Sequence, residues 1–377
     1  MKCTDCITEK TLLVTIGNEK MVSIEEIESA EKSSFSIGPG LIDLQINGIN
    51  GIDFNIPSVS VEDIEKATQF LLSIGVTTYF PTIVTNSTES ILKMLGTINS
   101  ACESNELVNS CVGGIHLEGP FISPKDGAKG AHDERYIKAP DWDLFSEFQK
   151  ASGGRIKIIT IAPEWEGSID FIKKCCKSGV IVSIGHSLAD AQQIKQAVNA
   201  GAKLSTHLGN AVPLLLPRHP NLIWDQLAAD DLYACIIGDG IHVPDSFLKV
   251  VMKIKGDQTI VVSDATCFAG MPPGEYLNHI GGTIILDKEK RVSLKKSPGM
   301  LAGAGKSLLE NIEYFYFNKL ASLGQSWQLA SFNVVKMLHK NSIDNWGEKM
   351  NDFVIFEIDK KTIKILKVIK KGRVVAG

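Results

Sequence analysis

The sequence predicts an α/β fold, a (β/α)8 TIM-type barrel with a small β-sandwich domain formed by the N- and C-terminal segments. Three observations predict it. Eight apolar runs of strand length lie between residues 41 and 266, each followed by a helix or a helix-sized connection. The runs are near-continuous in Val and Ile, as expected of parallel strands covered on both faces. Polar residues end the strands throughout the series, as expected where a barrel gathers its chemistry at the carboxyl ends of its strands. A doubly wound open sheet is the structural alternative, but it would cluster such residues at one switch point.

In chain order, residues 11–16 and 21–24 read as short strands around a Gly17-Asn18 turn, and Gly38-Pro39-Gly40 marks a sharp boundary. The barrel strands are then read at 41–47, 77–83, 112–119, 156–164, 180–187, 203–210, 234–243 and 259–266. Helices are expected at 61–73, about 87–104, 167–178, 189–200 and 244–254, where the apolar period lengthens. Residues 281–296 resemble an inserted hairpin around Asp287-Lys288-Glu289-Lys290. Two helices are expected at about 305–320 and 326–339, and the chain reverts to strands over 352–375. Strand-rich termini around a barrel imply one small domain, residues 1–39 with 342–377, and a barrel over 40–341.

A chain of 377 residues with 44% hydrophobic content and a formal charge of −4 suits a globular protein with an ample core. Its Lys and Arg residues are scattered, and the one basic run, Lys367, Lys370, Lys371 and Arg373, falls in a strand-like tail, so no nucleic acid partner is expected. No apolar stretch approaches a membrane span, and the N-terminus lacks an apolar signal core, so no membrane partner is expected. Cys3-x-x-Cys6 has no second pair to complete a zinc site, and Cys175-Cys176 are adjacent on an expected helix. Reduced, structural thiols in the cytoplasm are the expectation.

The strand ends hold Asp43, Gln45 and Asn47, then Glu118, His186, His207, His242 and Asp264. One strand-end histidine is ordinarily a hydrogen-bonded core residue. Two on consecutive strands, with Glu118 and Asp264 at equivalent positions, point instead to a ligand set of neutral imidazoles and a carboxylate, which zinc and similar ions prefer. Three protein ligands leave a position for water, whose pKa such an ion brings from ~15.7 to about 7. Asp264 then fits a general base that takes a proton from water and returns it to a leaving nitrogen. His116, two residues before Glu118, reads as a core histidine or one supporting the ligands.

The series QIN (45–47), HLEGPF (116–121), GAH (130–132), APE (162–164), GHS (185–187), THLGNA (206–211), GDGIHV (238–243), SDAT (263–266) and LAGAG (301–305) resembles the N-acetylglucosamine-6-phosphate deacetylases of the amidohydrolase superfamily, collinearly over about residues 38–310. The resemblance implies the same barrel and terminal β domain. It implies that Glu118, His186 and His207 bind the metal and that Asp264 is the acid/base. It places Ala131 and His132 near the acetamide and has Asn210 and Ala211 present backbone groups to the substrate. His242 would contact the substrate, with Leu301, Ala302 and Gly303 closing around it. Arg218, eleven residues after His207, stands where the family places a phosphate-binding arginine supplied by the neighbouring subunit of a homodimer. A guanidinium fork suits that task.

Three departures are visible. Gln45-Ile46-Asn47 stands where many amidohydrolases carry His-x-His for a second metal, and amides are poor zinc ligands, so one ion per subunit is expected. Gly209 replaces the common Tyr, which is expected to loosen that side of the site. Residues 217–231 depart from the family's usual loop after the arginine.

The expected function is hydrolysis of the N-acetyl group of N-acetylglucosamine-6-phosphate. The ion would be zinc or iron, with cobalt or manganese also compatible. His132 and His242 both remain as stabilisers of the developing oxyanion. The alternatives are a related enzyme for N-acetylgalactosamine-6-phosphate or an N-acyl amino acid, and a non-catalytic sugar-phosphate-binding barrel.

Overall fold

The computed structural model describes residues 1–28, 33–278, 282–340 and 351–377. Eight parallel strands run Leu41–Ile46, Val76–Val84, Ile115–Glu118, Ile156–Ile161, Ile181–Ile184, Leu204–Ser205, Tyr233–Ile237 and Thr259–Val262. Each pairs with its neighbour in sequence. The ring closes just past the eighth strand, where Asp264 N donates to Gln45 O at 2.9 Å and Asn47 N donates to Ala265 O at 2.7 Å. A barrel with consecutive strand order, not an open sheet, is therefore what these runs form.

The helices cover the outside of the ring for a local reason in each case. Val61–Ser73 begins on a capping box in which Ser60 accepts from the Asp63 amide, and its Ile64, Ala67, Leu71 and Leu72 face the barrel. Ala191–Ala200 starts the same way on Asp190 and Gln193, and stops at Gly201, whose φ of 117° suits glycine. Thr88–Ser104, Ser168–Lys177 and Asp245–Lys255 match expectation, while Glu106–Cys111 and Trp142–Ala151 fall in segments left without an assigned helix. The inside is a separate apolar cluster, with Ile42, Leu44, Phe80, Ile158, Ile181, Leu204, Tyr233 and Ile260 meeting Val334, Met337 and Leu338. Those last three belong to the helix Phe332–Lys340, which packs against the interior layer.

The termini form one unit, as expected. Lys2–Asp5, Thr11–Gly17, Lys20–Glu26 and Phe35–Pro39 combine with Phe353–Asp359, Thr362–Lys370 and Arg373–Ala376 into a sheet that closes on itself around Val14, Ile37, Ile355 and Ile369. The expected boundary between 341 and 342 lies outside the described residues. The inserted hairpin is larger than its expected span. It is a four-stranded antiparallel sheet, Gly274–Asn278, Gly282–Leu286, Arg291–Leu294 and Ser297–Ala304, and its last strand carries residues 301–303 back over the barrel. Residue 281, where the hairpin was expected to begin, is not among the described residues.

One device joins the two units. Lys370, from the basic run of the strand-like tail, is 3% exposed and donates to Asp352 Oδ2 at 2.6 Å and to Thr77 O at 2.7 Å, on the second barrel strand.

Candidate active site

The side chains that end the strands meet at one rim. Glu118 Oε1 lies 3.2 Å from His186 Nε2 and 3.1 Å from His207 Nε2, and the two ring nitrogens are 3.1 Å apart. All three residues are at most 6% exposed. His186 Nδ1 sits 2.8 Å from the Ala128 carbonyl, which can only accept. Its Nδ1 therefore carries the proton, and in the neutral ring its Nε2 presents a lone pair to the other two groups. Burial would raise the Glu118 carboxyl, but the hydrogen bonds and charges of His186 and His207 outweigh it and hold it well below the ordinary range. Burial pulls His207 down, yet the Glu118 bond and charge leave it raised. A carboxylate and two imidazole nitrogens converging where the field favours positive charge form a donor set able to hold a divalent metal ion, and they are the one such group among the described residues.

The backbone supplies the aim. His186, His207 and Asp264 have φ of 49°, 30° and 48°, in the left-handed region that costs an L-residue on the order of 1 kcal/mol. Each follows its strand within two residues. The reversal turns the side chain back toward the barrel axis at the point where the strand stops.

Asp264 stands beside the cluster. Gln45 Nε2 donates both to Glu118 Oε1 at 2.9 Å and to Asp264 Oδ1 at 3.1 Å, and Asn47 Nδ2 donates to Asp264 Oδ1 at 2.7 Å. Burial, then the Glu118 charge, push the Asp264 carboxyl up to about 6, against His207, His242 and the Asn47 bond. A carboxylate titrating there is ionised at neutral pH and still basic enough to accept a proton.

His116 lies one layer deeper, 3% exposed. Its Nδ1 gives its proton to Leu44 O at 3.1 Å, and burial holds the ring down at about 4, so it is neutral. Nε2 then accepts from the Thr160 hydroxyl at 2.7 Å, Thr160 from Thr206 at 2.7 Å, and Thr206 from Ser183 at 2.6 Å. This directed chain ties four consecutive strands together beneath Glu118, His186 and His207.

A cavity of about 460 Å³ opens above the cluster. Ala131, His132, Asn210, Ala211, His242, Leu301, Ala302 and Gly303 all line it, together with Asn47, Glu118, His186, His207 and Asp264. His132 packs edge-on against His186 with ring centroids 4.4 Å apart, and its Nδ1 meets Thr85 Oγ1 at 2.8 Å. Burial, with the neighbouring His186, pushes His132 down to about 3, so its ring is neutral at working pH. His242 Nδ1 bonds Asp239 Oδ2 at 2.7 Å, and Asp239 is fully buried.

One expectation is corrected. Gly209 does not loosen its side of the site: a Cβ there would lie 2.9 Å from Phe247 Cζ, so the Phe247 ring already fills that space. Arg218 and His219 are on an exposed loop and do not line the cavity of their own chain. Thr85, Arg135, Tyr136 and Phe268 line the cavity without having been singled out. Thr85 ends an ordinary apolar run, and a threonine in such a run carries no chemical signal.

The Amidohydrolase family profile matches residues 36–271. An N-acetylglucosamine-6-phosphate deacetylase of Bacillus subtilis is 34% identical over 269 residues, taking in 71% of this chain and 66% of that one. One from Lysinibacillus sphaericus is 30% identical over 358 residues, 94% of this chain and 89% of its own. The crystal structure of N-acetylglucosamine-6-phosphate deacetylase from Pasteurella multocida superposes with a TM-score of 0.81 at 26% identity, covering 97% of this chain and 94% of that one.

Proposed function

This chain belongs to the N-acetylglucosamine-6-phosphate deacetylases of the amidohydrolase family, and from that premise we propose that it hydrolyses the N-acetyl group of N-acetylglucosamine-6-phosphate to glucosamine-6-phosphate and acetate. The observation that carries the reading is the meeting of Glu118, His186 and His207 within 3.2 Å, bridged to Asp264 by the single amide of Gln45. Glu118, His186 and His207 would hold the ion, zinc or iron before cobalt or manganese. Such an ion supplies Lewis-acid polarisation of the acyl carbonyl and acidifies a water. One ion per subunit is supported by Gln45 and Asn47, whose amide N–H groups face carboxylates and so offer donors at the strand-one position.

Asp264 takes the proton of the attacking water and returns it to the amine nitrogen as the C–N bond breaks. His132 serves the acetamide. Asn210, Ala211 and His242 serve the sugar phosphate, and Leu301, Ala302 and Gly303 cover it. Arg218 would complete the phosphate site of a second copy in a homodimer. That reading is supported by its position outside its own cavity and by the neighbouring Leu214 and Leu215, 102% and 91% exposed. Residues 1–39 with 342–377 would form the small domain and 40–341 the barrel. Eight free thiols suit the cytoplasm.

The test is an acetate-release screen over N-acetylglucosamine, N-acetylgalactosamine and their 6-phosphates. Activity is expected on N-acetylglucosamine-6-phosphate and strongly reduced without the phosphate. Equal rates with and without it would remove Arg218 from its role, and a preference for the galacto sugar would overturn the substrate.

A further inference from the structure

Thr85 lies one residue past the second barrel strand, is 5% exposed, and places its hydroxyl oxygen 2.8 Å from His132 Nδ1. The socket for that hydroxyl is made by a glycine. Gly119, the residue after Glu118, has φ of 94°, and a Cβ on it would fall 2.2 Å from Thr85 Oγ1. The missing side chain at 119 thus admits the threonine between the end of the third strand and the His132 ring. Thr85 engages Nδ1, so Nε2 is the nitrogen His132 has left for the cavity it lines.

An acyl carbonyl oxygen only accepts hydrogen bonds. For the neutral His132 ring to serve it, the proton must be on Nε2, and Nδ1 must then accept. A hydroxyl can supply that bond, whereas a backbone carbonyl or a carboxylate at the same place would force the opposite tautomer. His242 shows the contrast. Its Nδ1 faces the Asp239 carboxylate at 2.7 Å, an acceptor that draws the ring proton to Nδ1 and favours the tautomer with Nε2 bare.

We propose that Thr85 is a positioning residue for the reaction: its hydroxyl donates to His132 Nδ1, holds the Nε2–H tautomer, and aims that N–H at the acyl oxygen as negative charge develops on it. The inference rests on the deacetylase reading for the identity of the acyl group, and on the Thr85–His132 geometry for the tautomer.

Thr85→Val keeps the shape and removes the hydroxyl, and Thr85→Ser restores it. In zinc-loaded protein with 15N-labelled histidine, long-range proton–nitrogen spectra are expected to show the Nε2–H form of His132 in wild type and Thr85→Ser. Thr85→Val should show a mixture or the Nδ1–H form. With N-acetylglucosamine-6-phosphate, Thr85→Val should lower kcat about 10- to 100-fold, less than the ~10²–10³ for deleting a donor itself. KM and zinc content should hold, and Thr85→Ser should recover the rate. In a His132→Ala background, Thr85→Val should cost nothing further. An unchanged tautomer in Thr85→Val, or a loss fully additive with His132→Ala, overturns the proposal. Should Thr85→Val lose its fold or its zinc, Thr85→Cys, a weak donor of similar size, is read by the same spectra. A wild type that releases no acetate defeats the deacetylase reading, and the tautomer spectra still decide the role of Thr85.

Discussion

At the scale of single residues, charge placement governs the site. Asp264 is raised to about 6 by burial and by the charge of Glu118, which still leaves it ionised at neutral pH. As a base it must be deprotonated, so kcat/KM is expected to rise with pH through about 6 and level off above it. Below that point the carboxyl holds its proton and cannot take one from water. Asp264→Asn should remove this acidic limb and lower kcat by about 10²–10⁴. Metal content measured on the same samples should be unchanged, since Asp264 is not among the three residues whose donor atoms converge. Glu118→Gln replaces the one anionic donor of the cluster by a neutral amide, and elemental analysis should find its metal lost. Full metal occupancy in that variant would separate Glu118 from metal binding.

At the scale of elements, the barrel presents its chemistry because strands end abruptly and turn inward. The sixth strand is only Leu204–Ser205, and His207 reaches the site through a left-handed backbone rather than as a strand residue of the expected 203–210 run. The loop that follows depends on Gly209 for the same reason, with φ of 93° and Phe247 pressed against it. Gly209→Ala is expected to destabilise the protein by about 1–3 kcal/mol in urea unfolding, from overpacking and from the backbone angle together. Adding Phe247→Leu should recover the packing part and leave the backbone part. If Gly209→Ala unfolds at the wild-type midpoint, the contact with Phe247 is not tight.

At the scale of the whole molecule, the terminal domain reaches the barrel through a buried lysine whose charge is paired within its own domain. Lys370 and Asp352 are both 3% exposed, and the lysine also caps the Thr77 carbonyl of the second barrel strand. Removing one partner strands a buried charge, so Lys370→Met should cost about 3–5 kcal/mol of stability. Lys370→Met with Asp352→Asn should regain much of it, because no unpaired charge is then left. Equal stability of the single variant and wild type would mean that the buried Lys370 does not help hold the terminal domain to the barrel.

The sequence by itself determined the eight-stranded barrel, the terminal domain, and the residues that converge at the rim. Those features are written in local patterns: apolar runs of fixed length, helical periods between them, and His, Glu or Asp at run ends. Glu118, His186, His207 and Asp264 were legible because they end several strands at equivalent positions, where a single histidine would read as a hydrogen-bonded core residue. The tertiary structure alone decided what depends on neighbours far apart in sequence. Thr85 meets His132 across 47 residues, Phe247 fills the side of Gly209 across 38, and Lys370 reaches Thr77 across 293. Their side chains are commonplace in their local contexts, and only closure of the ring brings each one to the partner that gives it a task. The protons on Nδ1 of His186 and His242 were decided in the same way, because the fold brings to each a group that only accepts.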